Sequence, residues 1–227
     1  MDGSCLVLIF SPNRDYSLPP SNTKTPDIAS ASVPATIAAR CHPFWLPLIF
    51  TVSPNSFRAV NLFAWTQGGM IQLNVLAPSL LALAAIPGFV ARGKGTLINI
   101  SSVLALAPEG FNGSYSGTKA YILNLSLRLQ QEIASKGVRI QVVLPGAIRT
   151  AIWKKAGTDI ATLPPGILMD ADEMVDAALV GLDRGETVTI PSLPNIADWQ
   201  AYESARQNLF PNLSLNSPAA RYRSAAA

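Results

Sequence analysis

The rhythm of apolar and polar positions changes near residue 68. Before it, Pro12, Pro19, Pro20, Pro26, Pro34, Pro43, Pro47 and Pro54 interrupt every periodic run, and Ser and Thr fill the gaps. Residues 6–10 and 44–52 read as short strands or as loose apolar segments. Beyond it the pattern sharpens. Gly68 and Gly69 precede a helix-like stretch to about Arg92, and residues 93–95 make a turn. Residues 96–100 are a short apolar run without clean alternation, which is how a strand covered on both faces reads. A loop with Pro108, Gly110 and Gly113 leads into a predicted helix from about Ser114 to Lys136. Its Ile122, Leu125, Leu129 and Ile133 fall at steps of three and four and make one apolar face.

Gly137 suits the C-cap of that helix, and residues 138–144 read as a second buried strand closed by Pro145-Gly146. Residues 147–169 are expected to form a long loop or small lid. Asp170 and Glu173 fit a capping box opening a helix to about Arg184, with Gly185 as its stop. Residues 187–190 read as a third strand, and residues 195 to about 209 as a last helix before a polar tail. Strands alternating with helices across short turns imply βαβ units, an α/β fold and a parallel sheet.

Composition divides the chain in the same place. Its 227 residues are 49% hydrophobic and 14% charged, against the usual ~25% charged. That excludes a wholly disordered chain. The net charge of +3 is scattered, and the one adjacent basic pair is Lys154-Lys155, so no phosphate-tracking surface forms and nucleic acid is not an expected partner. Residues 1–92 hold 8 of the 31 charged side chains, and residues 1–60 hold 8 of the 18 prolines but one of the 15 glycines, Gly3. We therefore read residues 1–65 as a Pro/Ser-rich segment and residues 66–227 as the patterned part of a single domain.

Cys5 and Cys41 lack Cys-x-x-Cys spacing and read as reduced thiols of a cytoplasmic protein, with one disulfide as the alternative. His42 is the only histidine, which argues against a zinc site, and no metal is expected. The N-terminus carries Asp2 where a signal peptide wants basic residues. No charge lies between Arg58 and Arg92, and residues 73–91 are long and apolar enough to cross a bilayer. Asn74, Pro78, Ser79, Pro87 and Gly88 interrupt that run, so a buried core helix is the preferred reading, and membrane attachment through residues 42–91 is the alternative.

Tyr115 and Lys119 stand four apart at the start of a predicted helix, so both project from one face. An ammonium beside a phenol favours the phenolate and lowers its pKa, suiting the tyrosine to general acid–base work. Ser102 lies thirteen residues before Tyr115, just past a strand, where ligands of open parallel sheets bind. Pro145-Gly146 ends the next strand on that side, Thr150 follows, and Asn74 sits inside the apolar helix forty-one residues before Tyr115.

With Asn-Ile-Ser-Ser at 99–102, Tyr-Ser-Gly-Thr-Lys at 115–119, Leu-Pro-Gly-Ala-Ile-Arg-Thr at 144–150 and Gln-Leu-Asn-Val at 72–75, the sequence resembles the short-chain dehydrogenase/reductase family from about Gly69 to the C-terminus. The resemblance implies a Rossmann-like doubly wound parallel sheet and hydride transfer between NAD or NADP and a small-molecule carbonyl or alcohol. By the same resemblance, Tyr115 exchanges the proton, Ser102 holds the substrate oxygen, and Lys119 tunes the tyrosine and holds the nicotinamide ribose. Asn74 kinks its helix and holds a water of the proton relay. Pro145, Gly146 and Thr150 line the nicotinamide, Ile152 and Trp153 are substrate-pocket candidates, and the helices over 69–92 and 114–136 are the surface of a homo-oligomer.

One part of the family's pattern is absent. Its first turn, Thr-Gly-x-x-x-Gly-x-Gly, lets backbone N–H groups approach the cofactor pyrophosphate, and residues 1–60 hold a single glycine. The first βαβ units are expected to be lacking or replaced. An inactive, cofactor-deficient relative, or a truncated gene product acting at most as a binding protein, is the second functional expectation.

Overall fold

The computed structural model describes residues 5–8, 67–110, 112–151, 153 and 159–223. Cys41, His42, Ile152, the Lys154-Lys155 pair and the 44–52 segment lie outside the described residues. Two compact units divide the chain, residues 1–191 and 192–227.

The first unit is built on a four-stranded parallel sheet. Its strands are β1 (Cys5–Leu8), β2 (Gly95–Ile100), β3 (Val138–Val143) and β6 (Val188–Thr189), adjacent in that order. β2 pairs with β1 from Thr96↔Cys5 to Asn99↔Leu8, and with β3 from Gly95↔Val138 to Ile100↔Val143. With β1 beside it, β2 is an interior strand. Its two faces serve two cores. Leu97 packs with Ala82, Phe89, Ile133, Val138 and Ile140, whereas Ile98 packs with Val143, Met174, Ala178 and Leu182. Burial on both sides is why residues 96–100 show no alternation.

The first core is covered by α1 (Gln67–Ile71), a wide π-helical turn (Gln72–Leu76) and α2 (Ala77–Arg92), which run on as one helix. By length and apolarity this helix could cross a bilayer, but Pro78, Ala82 and Phe89 are buried in the unit. Ile71, Leu76, Leu80 and Leu83 stay exposed. Gly93 stops the helix at φ 66°, the left-handed conformation that glycine adopts without a Cβ clash.

Helix α3 (Gly113–Ile133) covers the same face of the sheet, capped by Asn112, whose Oδ1 accepts from the Ser114 and Tyr115 amides. Its buried stripe is partly polar. Ile122, Leu123 and Ile133 share it with Ser116, Thr118, Lys119 and Ser126, while Leu125 and Leu129 are half-buried. Helix α4 (Ala171–Asp183) covers the opposite face.

Two expectations are corrected in the 147–170 stretch. It is not simply a loop, because β4 (Ala147–Arg149) and β5 (Leu168–Asp170) pair in parallel as a small second sheet. Asp170 is the N-cap of α4 but makes no side-chain cap bond. Its Oδ1 accepts instead from Arg149 Nε at 2.8 Å, a partner supplied by the strand pairing.

The second unit contains α5 (Ile196–Asn208), capped by Asn195 Oδ1 on the Ala197 amide. The helix buries no residue, and Leu209, Phe210, Leu213 and Leu215 beyond it are exposed.

Candidate active site

The C-terminal ends of β2 and β3 are tied together. The Ser101 amide donates to Val143 O at 2.8 Å, and the Val103 amide donates to Pro145 O at 3.0 Å. This brings Ser101, Ser102, the buried Pro145 and the half-buried Gly146 to one edge, where an open parallel sheet binds ligands. Ser102 caps a short 3₁₀ turn (Val103–Ala105), its Oγ accepting from the Leu104 amide at 3.2 Å. The same hydroxyl is hydrogen-bonded to the Tyr115 phenol on the first turn of α3.

Lys119 follows one helical turn on, with its Nζ 5.6 Å from the centre of the Tyr115 ring. It is 7% exposed, and its ammonium donates to Ile100 O at 3.2 Å. Ser101 Oγ donates to the Lys119 carbonyl at 2.7 Å, so strand end and helix are bonded on both sides of that residue. Burial lowers the Lys119 pKa to about 8.

The electrostatics of Tyr115 correct the sequence expectation. Its pKa is raised, because loss of solvent outweighs the hydrogen bond from Ser102, which acts the other way. Four-residue spacing foretold an ammonium lowering the phenol pKa. In the folded chain Lys119 is itself desolvated and its charge weakly held, so burial dominates at both groups.

Asn74 occupies the π-helical turn, 8% exposed, and its Nδ2 donates to Thr118 Oγ1 at 3.1 Å. Thr118 Oγ1 in turn donates to Tyr115 O at 2.8 Å. Asn74 and Lys119 share the lining of one small cavity with Pro78, Asn99, Ile100 and Ile122. Thr150 is half-buried just past β4. Trp153 is half-buried, with its indole Nε1 donating to Ile148 O at 2.7 Å, a bond that ties it to β4.

Sequence reasoning did not single out Thr118, Ser101 or the Ile100 carbonyl as site groups. Ser101 and Ile100 belong to the quoted Asn-Ile-Ser-Ser run, and Thr118 to Tyr-Ser-Gly-Thr-Lys. Their roles arise from helix–strand contacts that spacing along one element does not reveal.

The family model for short chain dehydrogenases matches residues 53–161, which include Asn74, Ser102, Tyr115, Lys119, Pro145, Gly146 and Thr150. Through these residues the chain matches the short-chain dehydrogenase family. The chain is similar to 2,5-dichloro-2,5-cyclohexadiene-1,4-diol dehydrogenase LinX of Sphingobium indicum. The two are 30% identical over 154 residues, 65% of this chain and 61% of that one.

A solved short-chain dehydrogenase from Sphingobium yanoikuyae in complex with NADPH superposes with a TM-score of 0.66 at 46% identity, covering 69% of this chain and 60% of that one. The bulky-bulky ketone specific alcohol dehydrogenase from Comamonas testosteroni superposes with a TM-score of 0.61 at 41% identity, covering 70% and 59%. The chain thus spans about three-fifths of the length of these relatives.

The residues present fit one end of a nicotinamide dinucleotide. Lys119 and Tyr115 offer an ammonium and a hydroxyl on one helix face, and no atom of the described residues lies within 4 Å of the position a Gly146 Cβ would take. The pyrophosphate end needs closely approaching backbone N–H groups, and the single glycine of residues 1–60 does not match the family's turn.

Proposed function

We propose that this chain transfers hydride between a nicotinamide cofactor, NADP(H) or NAD(H), and a small-molecule carbonyl or alcohol. The observation that carries this reading is the Tyr115 phenol, hydrogen-bonded to Ser102 with the Lys119 ammonium beside its ring. The nicotinamide, when bound, supplies hydride to the carbonyl carbon, or takes it from the carbinol carbon in the reverse direction. Tyr115 gives its phenolic proton to the carbonyl oxygen as that oxygen gains charge, or removes the alcohol proton in reverse. Ser102 hydrogen-bonds the same oxygen and fixes it against the phenol. Lys119 holds the ribose hydroxyls and, while protonated, stabilises the phenolate left behind. Asn74 braces the first turn of α3 through Thr118, which itself bonds the Tyr115 carbonyl.

Pro145, Gly146 and Thr150 line the nicotinamide in this reading, and Ile152 and Trp153 bound the substrate. NADPH is the first cofactor to test, because the Sphingobium yanoikuyae neighbour holds it. Ketones with two bulky substituents are the first substrates, because the Comamonas testosteroni neighbour is specific for them.

The second reading is an inactive relative, favoured by the missing glycine turn. Cofactor titration of the full chain separates the two. Saturable fluorescence quenching by NADPH or NADH is expected, with about 2.7 kcal/mol of added stability at a hundredfold excess over Kd. No quenching and no stabilisation at millimolar cofactor would overturn the first reading and leave the second.

A further inference from the structure

Helix α5 buries none of its residues. A helix this short is marginal alone in water and owes its stability to packing of an apolar face. α5 carries such a face. Ile196, Trp199, Glu203 and Arg206 follow one another at steps of three, four and three. Beyond the helix, Leu209 and Leu213 keep right-handed helical φ/ψ, at −73°/−27° and −76°/−21°, and a 3₁₀ turn over Phe210–Asn212 joins them. The spiral thus runs on, and Phe210 and Leu213 extend the series by four and three. Alternating steps of three and four mark the seam of a paired helix. Phe210 is 79% exposed and Leu213 69%, Ile196 is exposed too, and exposed Tyr202 and Leu209 flank the seam. Trp199 is half-buried, its ring 5.5 Å from that of Tyr202.

The seam reads alike from either end. Glu203 and Arg206 stand equally far from its centre, as do Trp199 and Phe210, and Ile196 and Leu213. A second copy turned end for end therefore sets Arg206 against Glu203, Phe210 against Trp199 and Leu213 against Ile196. Within one chain the two charges already meet, Arg206 Nε donating to Glu203 Oε2 at 2.8 Å. Asp198, the third charge of α5, falls off the seam. The seam's charges cancel, so a partner of one charge sign gains nothing from it, whereas an inverted copy meets opposite charge at both places.

We propose that the seam from Ile196 to Leu213 docks on the same seam of a second copy of this chain, the two helices running antiparallel about a two-fold axis between Glu203 and Arg206. The apolar pairs supply the attraction, and the crossed charges fix the register. This face belongs to neither of the helices over 67–92 and 113–133 that the family resemblance assigns to an oligomer. A seam this short buries less than the ~800 Å² per partner of a standard interface, so the association is weak and depends on concentration. It needs neither cofactor nor hydride transfer.

Sedimentation velocity of the full chain, from low to high micromolar protein, reads the assembly mass. Phe210→Asp sets a charge against Trp199 of the other copy and is expected to weaken this association about tenfold or more. The position is exposed, so the change spares the fold of the single chain. A mass that does not respond overturns the proposal, and the seam then serves another segment of this chain, a lipid surface or an unlike protein. Charge exchange gives the second readout. Glu203→Arg leaves two positive charges on the seam and Arg206→Glu two negative ones. Each variant alone is expected to associate about tenfold more weakly than the parent, and the two mixed to pair with each other in preference to themselves. Both variants lose the ion pair within the chain, and mixing does not restore it, so the gain on mixing reads only the contact between copies. Native mass spectrometry of the mixture counts the species. An excess of the mixed pair supports the proposal, and a statistical mixture, or no mixed pair, overturns it.

Discussion

Replacing Tyr115 with Phe is expected to lower turnover about 10²–10⁴-fold, the usual contribution of a positioned general acid. The change removes one hydroxyl whose partner is Ser102. Without it, the carbonyl oxygen gains charge with no proton to take, and Ser102 can hydrogen-bond the oxygen but cannot relieve it of charge. The substitution leaves the helix start alone, because Asn112 still caps the amides of residues 114 and 115. It also leaves the Lys119–Ile100 and Asn74–Thr118 bonds in place. Cofactor affinity should therefore fall by no more than about tenfold, the ~1.4 kcal/mol that loss of one hydrogen bond from the phenol to the cofactor costs. Turnover and cofactor affinity measured on the same preparation check both halves. Equal turnover in parent and variant would remove Tyr115 from the chemistry.

The largest expected effect on stability lies far from that edge, at Gly137. It follows the 3₁₀ turn at Ala134–Lys136 with φ 75° and leads into β3. Gly93 makes the corresponding turn into β2, and the two strands begin side by side, Gly95 opposite Val138. A Cβ on Gly137 would overlap the carbonyl oxygen of Gly93, a backbone atom that cannot swing aside as a side chain would. A Cβ on Gly93, by contrast, meets nothing within 4 Å among the described residues. Gly93→Ala should thus cost only the left-handed backbone penalty, about 1–2 kcal/mol. Gly137→Ala carries that penalty and must also push the neighbouring turn away, for roughly 3 kcal/mol or more. For a domain of this size that lowers Tm by about 6–12 °C. Thermal unfolding of the two variants side by side decides it, and equal losses would mean that the close approach of the turns carries no energy.

What could be read from the residues alone was whatever is local or repeated along one element. The apolar run without clean alternation at 96–100 announced a strand buried on both faces, and Leu97 and Ile98 do enter different cores. The steps of three and four after Ser114 located a helix, and Gly93 and Gly137 located the turns into two strands. What escaped depends on partners distant in sequence. β4 and β5 have three residues each, too few to show a period, and exist because they pair with each other. Asp170 looked like a capping residue from its neighbours, yet Arg149, twenty-one residues earlier, takes its carboxylate.

The candidate site divides in the same way. Spacing placed Tyr115 and Lys119 on one face, and their ring-to-ammonium distance of 5.6 Å follows from that helix geometry. Their titration could not be read so directly, because burial is set by the strand ends and by the helix carrying Asn74. Desolvation raises the phenol and lowers the ammonium, opposite to the effect expected of the phenol from charge alone. The bonds from Asn74 to Thr118 and from Lys119 to Ile100 O likewise cross between elements.

Deuterium transfer tests the central claim most directly. The full chain is incubated with a ketone carrying two bulky substituents and with NADPH deuterated at the transferring position, and the alcohol is analysed by mass spectrometry. The account predicts one deuterium on the carbinol carbon of each product molecule, and a rate about 10²-fold or more lower with Tyr115→Phe. Alcohol formed without deuterium, or no alcohol from a panel of ketones at millimolar NADPH or NADH, would contradict it.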